Sequence, residues 1–201
     1  MSSQANIFGA GITDLPDPAG GGGGVAPMCL LLPVGVKAVV VKKANGSASF
    51  TPLGAPTVQF HKCQSGQEIS FESGPDGSTG GCPGDRPGGA IDAAGVVSGI
   101  TSTDRVAYLA GVFLPPRAPR GPPPPSLDFD GNHNFGSLRP IIAQIFFIGD
   151  GRGSRGALQR FRVPDGATRL YLGIADAFGF NGPPGYYGDN AGSFEIRLSF
   201  I

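Results

Sequence analysis

The chain has 201 residues, long enough to bury one sizeable core. Its 35 glycines and 20 prolines exceed a quarter of the composition, which would point to disorder were the apolar residues not gathered into short runs. Fifteen basic and fifteen acidic side chains cancel, so the charge gives no footprint for nucleic acid or an anionic membrane.

Residues 1–26 read as a Gly/Pro-rich extension. Met1-Ser2-Ser3-Gln4 carries neither the charged nor the apolar region of a signal peptide. The run Gly20 to Gly24 predicts a flexible linker. Before it, Ile7-Phe8 and Ile12 are apolar enough to dock, so Ala5 to Ile12 is a candidate extra strand for its own sheet or for a neighbouring subunit of a homo-oligomer.

Residues 27–201 read as a single domain. Met28 to Lys43 is β-branched and interrupted at Pro33, which marks an edge or a turn. Asn45-Gly46 predicts a hairpin turn. Thr57 to His61 and Glu68 to Glu72 alternate with the period of half-buried strands. Cys29, Cys63 and Cys82 lack zinc-type spacing; Cys63 and Cys82 flank one strand and its loop and can pair in an oxidising compartment, leaving Cys29 single. Ser73 to Gly89 is a long loop whose Asp76 and Asp85 are either turn residues or spare oxygen ligands.

Val96 to Ile100 and Val106 to Leu114 return to strand, the second almost continuously apolar, as for a strand covered on both faces. Pro115 to Pro125 breaks it in an extended, proline-rich excursion. Asp128-Phe129-Asp130-Gly131-Asn132 begins like an EF-hand loop but puts His133 where Gly is needed and Arg139 where Glu is needed, which excludes that motif. His61 and His133 stand as single histidines. Ile141 to Ile148 predicts a central strand, and the glycines around Arg152 lack the pattern of a phosphate loop. Leu158 to Val163 alternates, and Phe194 to Ile201 closes the chain as a last alternating strand.

No stretch sustains a helical period, no apolar run approaches the roughly 20 residues of a membrane span, and the runs amount to about eight to ten strands. That pattern is all-β, a sandwich or barrel. Between the last two strands, Thr168 to Phe194 brings Asp176, Asp189 and Asn190 together on a Gly/Pro-rich connection. Carboxylate, amide and carbonyl oxygens on a tight loop are the ligand set of a hard cation such as Ca2+. No pair of carboxylates and no nucleophile–histidine motif stands out, so the expectation is a binding protein and not an enzyme.

Pro184-Gly185-Tyr186-Tyr187-Gly188-Asp189-Asn190-Ala191-Gly192-Ser193-Phe194 resembles the calcium loop of the small calcium-dependent galactophilic bacterial lectins, which reads Asp, a spacer, then Pro-Gly-x-Tyr-x-Asn-Asn-x-Gly-Ser-Phe. The spacer after Asp176, Ala177 to Pro183, is longer here, and Asp189 stands for the family's first Asn. The resemblance implies a jelly-roll β-sandwich of the galactose-binding-domain-like type. It also implies that Asp176, Asp189 and Asn190 ligate the ion with their side chains and Tyr186 with its carbonyl, and that Asp176, Asp189, Tyr186 and Tyr187 meet a galactose-like carbohydrate. If a sugar binds there, Tyr186, Tyr187, Phe178 and Phe180 can form an apolar wall for its C–H face.

Ala5 to Gly11, Val106 to Leu114, Leu127 to Phe135, Phe146 to Gly151 and the C-terminal stretch resemble a group of secreted bacterial proteins. That implies a secreted or cell-envelope location. The alternative to a lectin is an extracellular structural or assembly protein in which calcium staples the sandwich and no sugar binds.

Overall fold

Short apolar runs punctuated by glycine and proline favour strands over helices, and the computed structural model of the chain is all-β and sandwich-like. It describes residues 1–16, 22–45, 48–50, 69–70, 89–153, 155–193 and 195–201. Among them the strands are β1 (Met28–Leu31), β2 (Ala38–Asn45), β3 (Ala48–Phe50), β4 (Ile69–Ser70), β5 (Gly89–Ile91), β6 (Ile100–Ser102), β7 (Leu109–Leu114), β8 (Leu127–Asp128), β9 (Ser137–Leu138), β10 (Phe146–Phe147), β11 (Arg160–Arg162), β12 (Arg169–Ile174), β13 (Asn190–Gly192) and β14 (Glu195–Phe200). Short 3-10 turns lie at Ile7–Gly9, Phe178–Phe180 and Tyr187–Asp189. No helix among the described residues is long and apolar enough to cross a membrane. The expected strand Thr57 to His61, most of Glu68 to Glu72, and Asp76, Asp85, Cys63 and Cys82 lie outside the described residues.

Two four-stranded sheets share the core. One runs β1-β12-β7-β10 and the other β14-β2-β11-β9; smaller sheets are β13-β3-β4 and β5-β6-β8. Pairing is antiparallel except between β9 and β11 and between β6 and β8. All six residues of β7 are buried, as its apolar continuity predicts. In β11, Phe161 points inward between exposed Arg160 and Arg162, which is the alternation read from Leu158 to Val163. Aromatic rings carry contact from one sheet to the other: Phe113 stacks on Phe146 at 5.2 Å and Phe146 on Phe161 at 4.9 Å. Gly111 makes room for them, since a Cβ there would lie 2.6 Å from the Phe146 ring.

Two local expectations give way to tertiary structure. Ile141 to Ile148 is not one central strand: only Phe146–Phe147 pair, at a sheet edge. Gln144 folds the start of that run into a turn, its Oε1 accepting from the Ile141 amide at 3.1 Å and its Nε2 donating to the Pro125 carbonyl at 3.0 Å, with Ala143 at φ 64. Nor do β2 and β3, on either side of the expected turn at Asn45-Gly46, pair as a hairpin; Gly46 itself lies outside the described residues. Asn45 pairs with Glu195 and Ala48 with Gly192, so β2 and β3 run in succession along β14 and β13, and a bulge between Glu195 and Ile196 absorbs the offset.

The N-terminal region is part of the core. Ala5, Ile7, Phe8 and Ala10 are buried, and the Ile174 amide donates to the Ala5 carbonyl at 2.6 Å, prolonging the pairing of β12. Gly173 permits this approach, because a Cβ there would lie 2.6 Å from the Ala5 oxygen. Of the two places expected for Ala5 to Ile12, its own sheet or a neighbouring subunit, the bridge of Asn6 to Ile174 is to its own sheet. Phe8→Ala should destabilise the protein by about 3–5 kcal/mol, read as a lower urea midpoint at unchanged slope; a change within about 0.5 kcal/mol would contradict this placement.

Candidate functional site

The site forms where β12 ends. Beyond Ile174 the Ala175 amide still donates to the Tyr108 carbonyl, at 3.1 Å, so the approach to β7 is prolonged and Asp176 enters the interior. Its side chain is only 2% exposed. One carboxylate oxygen, Oδ1, accepts from the Ala177 amide at 2.8 Å, and the other, Oδ2, accepts from Asn190 Nδ2 at 2.8 Å.

The long spacer does not carry Asp176 away from the rest of the loop. Ala177 and Pro184 form an antiparallel bridge, and the Gly185 amide donates to the Asp176 carbonyl at 3.3 Å, so residues 177–184 form an excursion with a closed neck. Its tip is fastened to β5: the Gly182 amide donates to the Ala90 carbonyl at 2.8 Å, and Asn181 Oδ1 accepts from the Ala90 amide at 3.1 Å.

After the neck, Tyr186 takes a left-handed conformation, φ 70, costly for a bulky side chain and typical of positions whose surroundings over-determine them. The 3-10 turn Tyr187–Asp189 follows, ended by the Asn190 amide donating to the Tyr187 carbonyl. Asn190 then begins β13 opposite Phe50. The residue is 2% exposed, and while its Nδ2 is used on Asp176, its Oδ1 is buried with no hydrogen-bond partner among the described residues. A buried acceptor left so costs about 1–3 kcal/mol.

Of the expected site residues, Asp176 and Asn190 are thus brought into direct contact. Asp189 has its main chain in the adjoining turn, and its side chain lies outside the described atoms. Tyr186 is half-buried, its ring 4.7 Å from that of Phe178. Tyr187 is not at the surface: it is fully buried, its hydroxyl donating to the Ile174 carbonyl at 2.7 Å. Its neighbour Phe180 is half-buried against the same small cluster with Ile174. An apolar wall for a ligand therefore falls to Phe178 and Tyr186.

Sequence reasoning missed the N-terminal contribution. Gln4 Nε2 donates to the Asn190 carbonyl at 2.9 Å, across 186 positions of chain, and the Tyr187 amide donates to the Gly22 carbonyl at 2.9 Å. The only signal for either was the glycine run, which reads equally well as slack.

A second polar group surrounds His133, which is 5% exposed. Its Nε2 lies 3.1 Å from Ser102 Oγ and 3.4 Å from Asp104 Oδ1. Serine and carboxylate approach the same ring nitrogen, whereas a hydrolytic triad needs them on opposite ones. Ser102 is itself buried at 1% exposure, beyond reach of a substrate. Among the described residues no group of three or more His, Cys, Asp or Glu side chains gathers as a metal site. No family model, curated protein or solved structure matches the chain.

Burial holds the phenols of Tyr187 and Tyr108 above their ordinary range, with the charge of Asp176 adding at Tyr187 and that of Asp104 at Tyr108. The folded protein therefore keeps protons that the unfolded chain releases above about pH 10. Their contribution to stability is complete below that pH and declines as pH rises further, by up to about 1.4 kcal/mol per unit for each tyrosine. Tyr187→Phe should cost about 1–2 kcal/mol at neutral pH by removing the hydroxyl's hydrogen bond to the Ile174 carbonyl and should flatten the alkaline decline. Urea denaturation at pH 8, 10 and 11 checks both; an unchanged alkaline slope would count against a buried Tyr187.

Proposed function

We propose that the protein is a calcium-dependent carbohydrate-binding protein, with a jelly-roll sandwich of the galactose-binding-domain-like type and galactosides as its first ligands to test. The observation that carries this reading is Asn190 Oδ1, a buried acceptor without a hydrogen-bond donor among the described residues, on a side chain that also touches the Asp176 carboxylate. A hard cation satisfies an amide oxygen and a carboxylate together, and calcium accepts such mixed oxygen sets with room for main-chain carbonyls and hydroxyls. Asp176 and Asn190 would hold it with their side chains, and the resemblance of the loop to the galactophilic lectins adds Asp189 and the Tyr186 carbonyl.

Bound there, calcium would supply exchangeable positions to the vicinal hydroxyls of a sugar. Phe178 and Tyr186, ring to ring and half-exposed, offer an apolar face of the kind that packs on the C–H side of a pyranose. Tyr187 supports the loop from beneath and is given no contact with the sugar. A secreted or envelope location accords with this reading, since extracellular calcium suits a site of modest affinity.

Calorimetric titration of chelator-treated protein should show calcium binding, weakened about tenfold or more, which is about 1.4 kcal/mol, in Asp176→Asn and in Asn190→Ala. Galactosides should then give heat only when calcium is present. Calcium binding with no sugar heat would shift the reading to the structural or assembly protein stapled by calcium, and absence of calcium heat would overturn both.

A further inference from the structure

The candidate loop is fastened by a piece of chain from the far end of the sequence. Gln4 Nε2 holds the Asn190 carbonyl at 2.9 Å. Ser3 gives the Gly192 carbonyl both its amide, at 3.2 Å, and its hydroxyl, at 3.0 Å. From the other side, Gly22 accepts the Tyr187 amide. These two pieces are tied to each other: the Val25 amide donates to the Gln4 carbonyl at 2.8 Å, the Asn6 amide to the Val25 carbonyl at 2.9 Å, and Asn6 Nδ2 to the Gly23 carbonyl at 3.0 Å.

The glycines here are not slack. Gly22 and Gly24 have φ of 101 and 73, where other residues are strained. A Cβ at Gly22 would lie 3.2 Å from the Gly188 main chain, and one at Gly24 would lie 2.7 Å from Tyr187 Cβ. Their missing side chains let this backbone lie directly on the turn that carries Tyr187 and Asp189.

We propose that Ser3-Gln4 with Gly22–Val25 is a strap that positions the cation site, with Gln4 as its positioning residue: by holding the Asn190 main chain it keeps the Asn190 side chain against the Asp176 carboxylate, and with it the orientation of the Asn190 amide oxygen. The inference rests on the calcium reading above. Coordinating atoms must be held to a fraction of an ångström, and groups behind the ligands do that work. Gln4 is half-buried, so a near-isosteric replacement that lacks the donor leaves the strap's packing in place.

The test compares wild type and Gln4→Met by calcium calorimetry, by melting temperature in chelator, and by amide exchange across residues 186–192 in chelator. The expected result is calcium affinity about tenfold weaker in the variant, faster exchange confined to those residues, and a melting temperature within about 2 °C of wild type. Wild type and variant binding calcium equally would overturn the strap and leave the calcium reading standing. A melting temperature that falls in step with affinity would make Gln4 a general support and also overturn it. If wild type binds no calcium, the calcium reading fails and the strap fails with it.

Discussion

One buried amide organises the first part of the chain for its docking on the rest. Asn6 is wholly inaccessible, and its side chain makes three hydrogen bonds: Oδ1 accepts from the Phe8 amide at 2.9 Å, while Nδ2 donates to the carbonyls of Pro16 and Gly23 at 3.1 and 3.0 Å. An amide buried without such partners would cost several kcal/mol, so the contacts stand or fall together. Because Oδ1 caps the turn Ile7–Gly9, the Ile7 and Phe8 side chains are delivered to the core. Because Nδ2 gathers residues 16 and 23, the chain returns beside residues 4–6. The open backbone at the end of β12 then receives Ala5 above Gly173, and the candidate loop acquires its outer wall.

Where burial on one or both faces decides structure, the chain was legible. Leu158 to Val163 alternates and pairs accordingly; Val106 to Leu114 is continuously apolar and is covered throughout over β7; Arg169 to Ile174 leads into Asp176 as read. Side-chain chemistry that acts across the fold was not. Gln144 turns Ile141 to Ile148 aside through a bond to Pro125, which no local pattern announces. Asn45-Gly46 has the composition of a reverse turn, but the ladder of β14 and β13 continues past it.

At the candidate site the same division holds. Asp176 and Asn190 stood out because carboxylates and amides on a glycine-rich connection imply an oxygen-ligand set, and folding brings them into contact despite the long spacer. Tyr187 carried the wrong sign: a tyrosine in a polar loop reads as a surface contact, yet its ring fills the space between Ile174 and the loop. Gln4 had no sign of its own beyond the glycine run that follows it, being one polar residue among small ones, with its partner 186 positions away.

That separation has a consequence for biosynthesis. Synthesis runs from N to C, so Ser3, Gln4 and Asn6 must wait while the 186 positions that separate Gln4 from Asn190 are added before the loop can be fastened. Closing so large a span is an intrinsically late and slow event. If the strap positions the loop as proposed, a ligand is held properly only after these two distant segments have met, so occupancy of the loop would report that the span between them has closed.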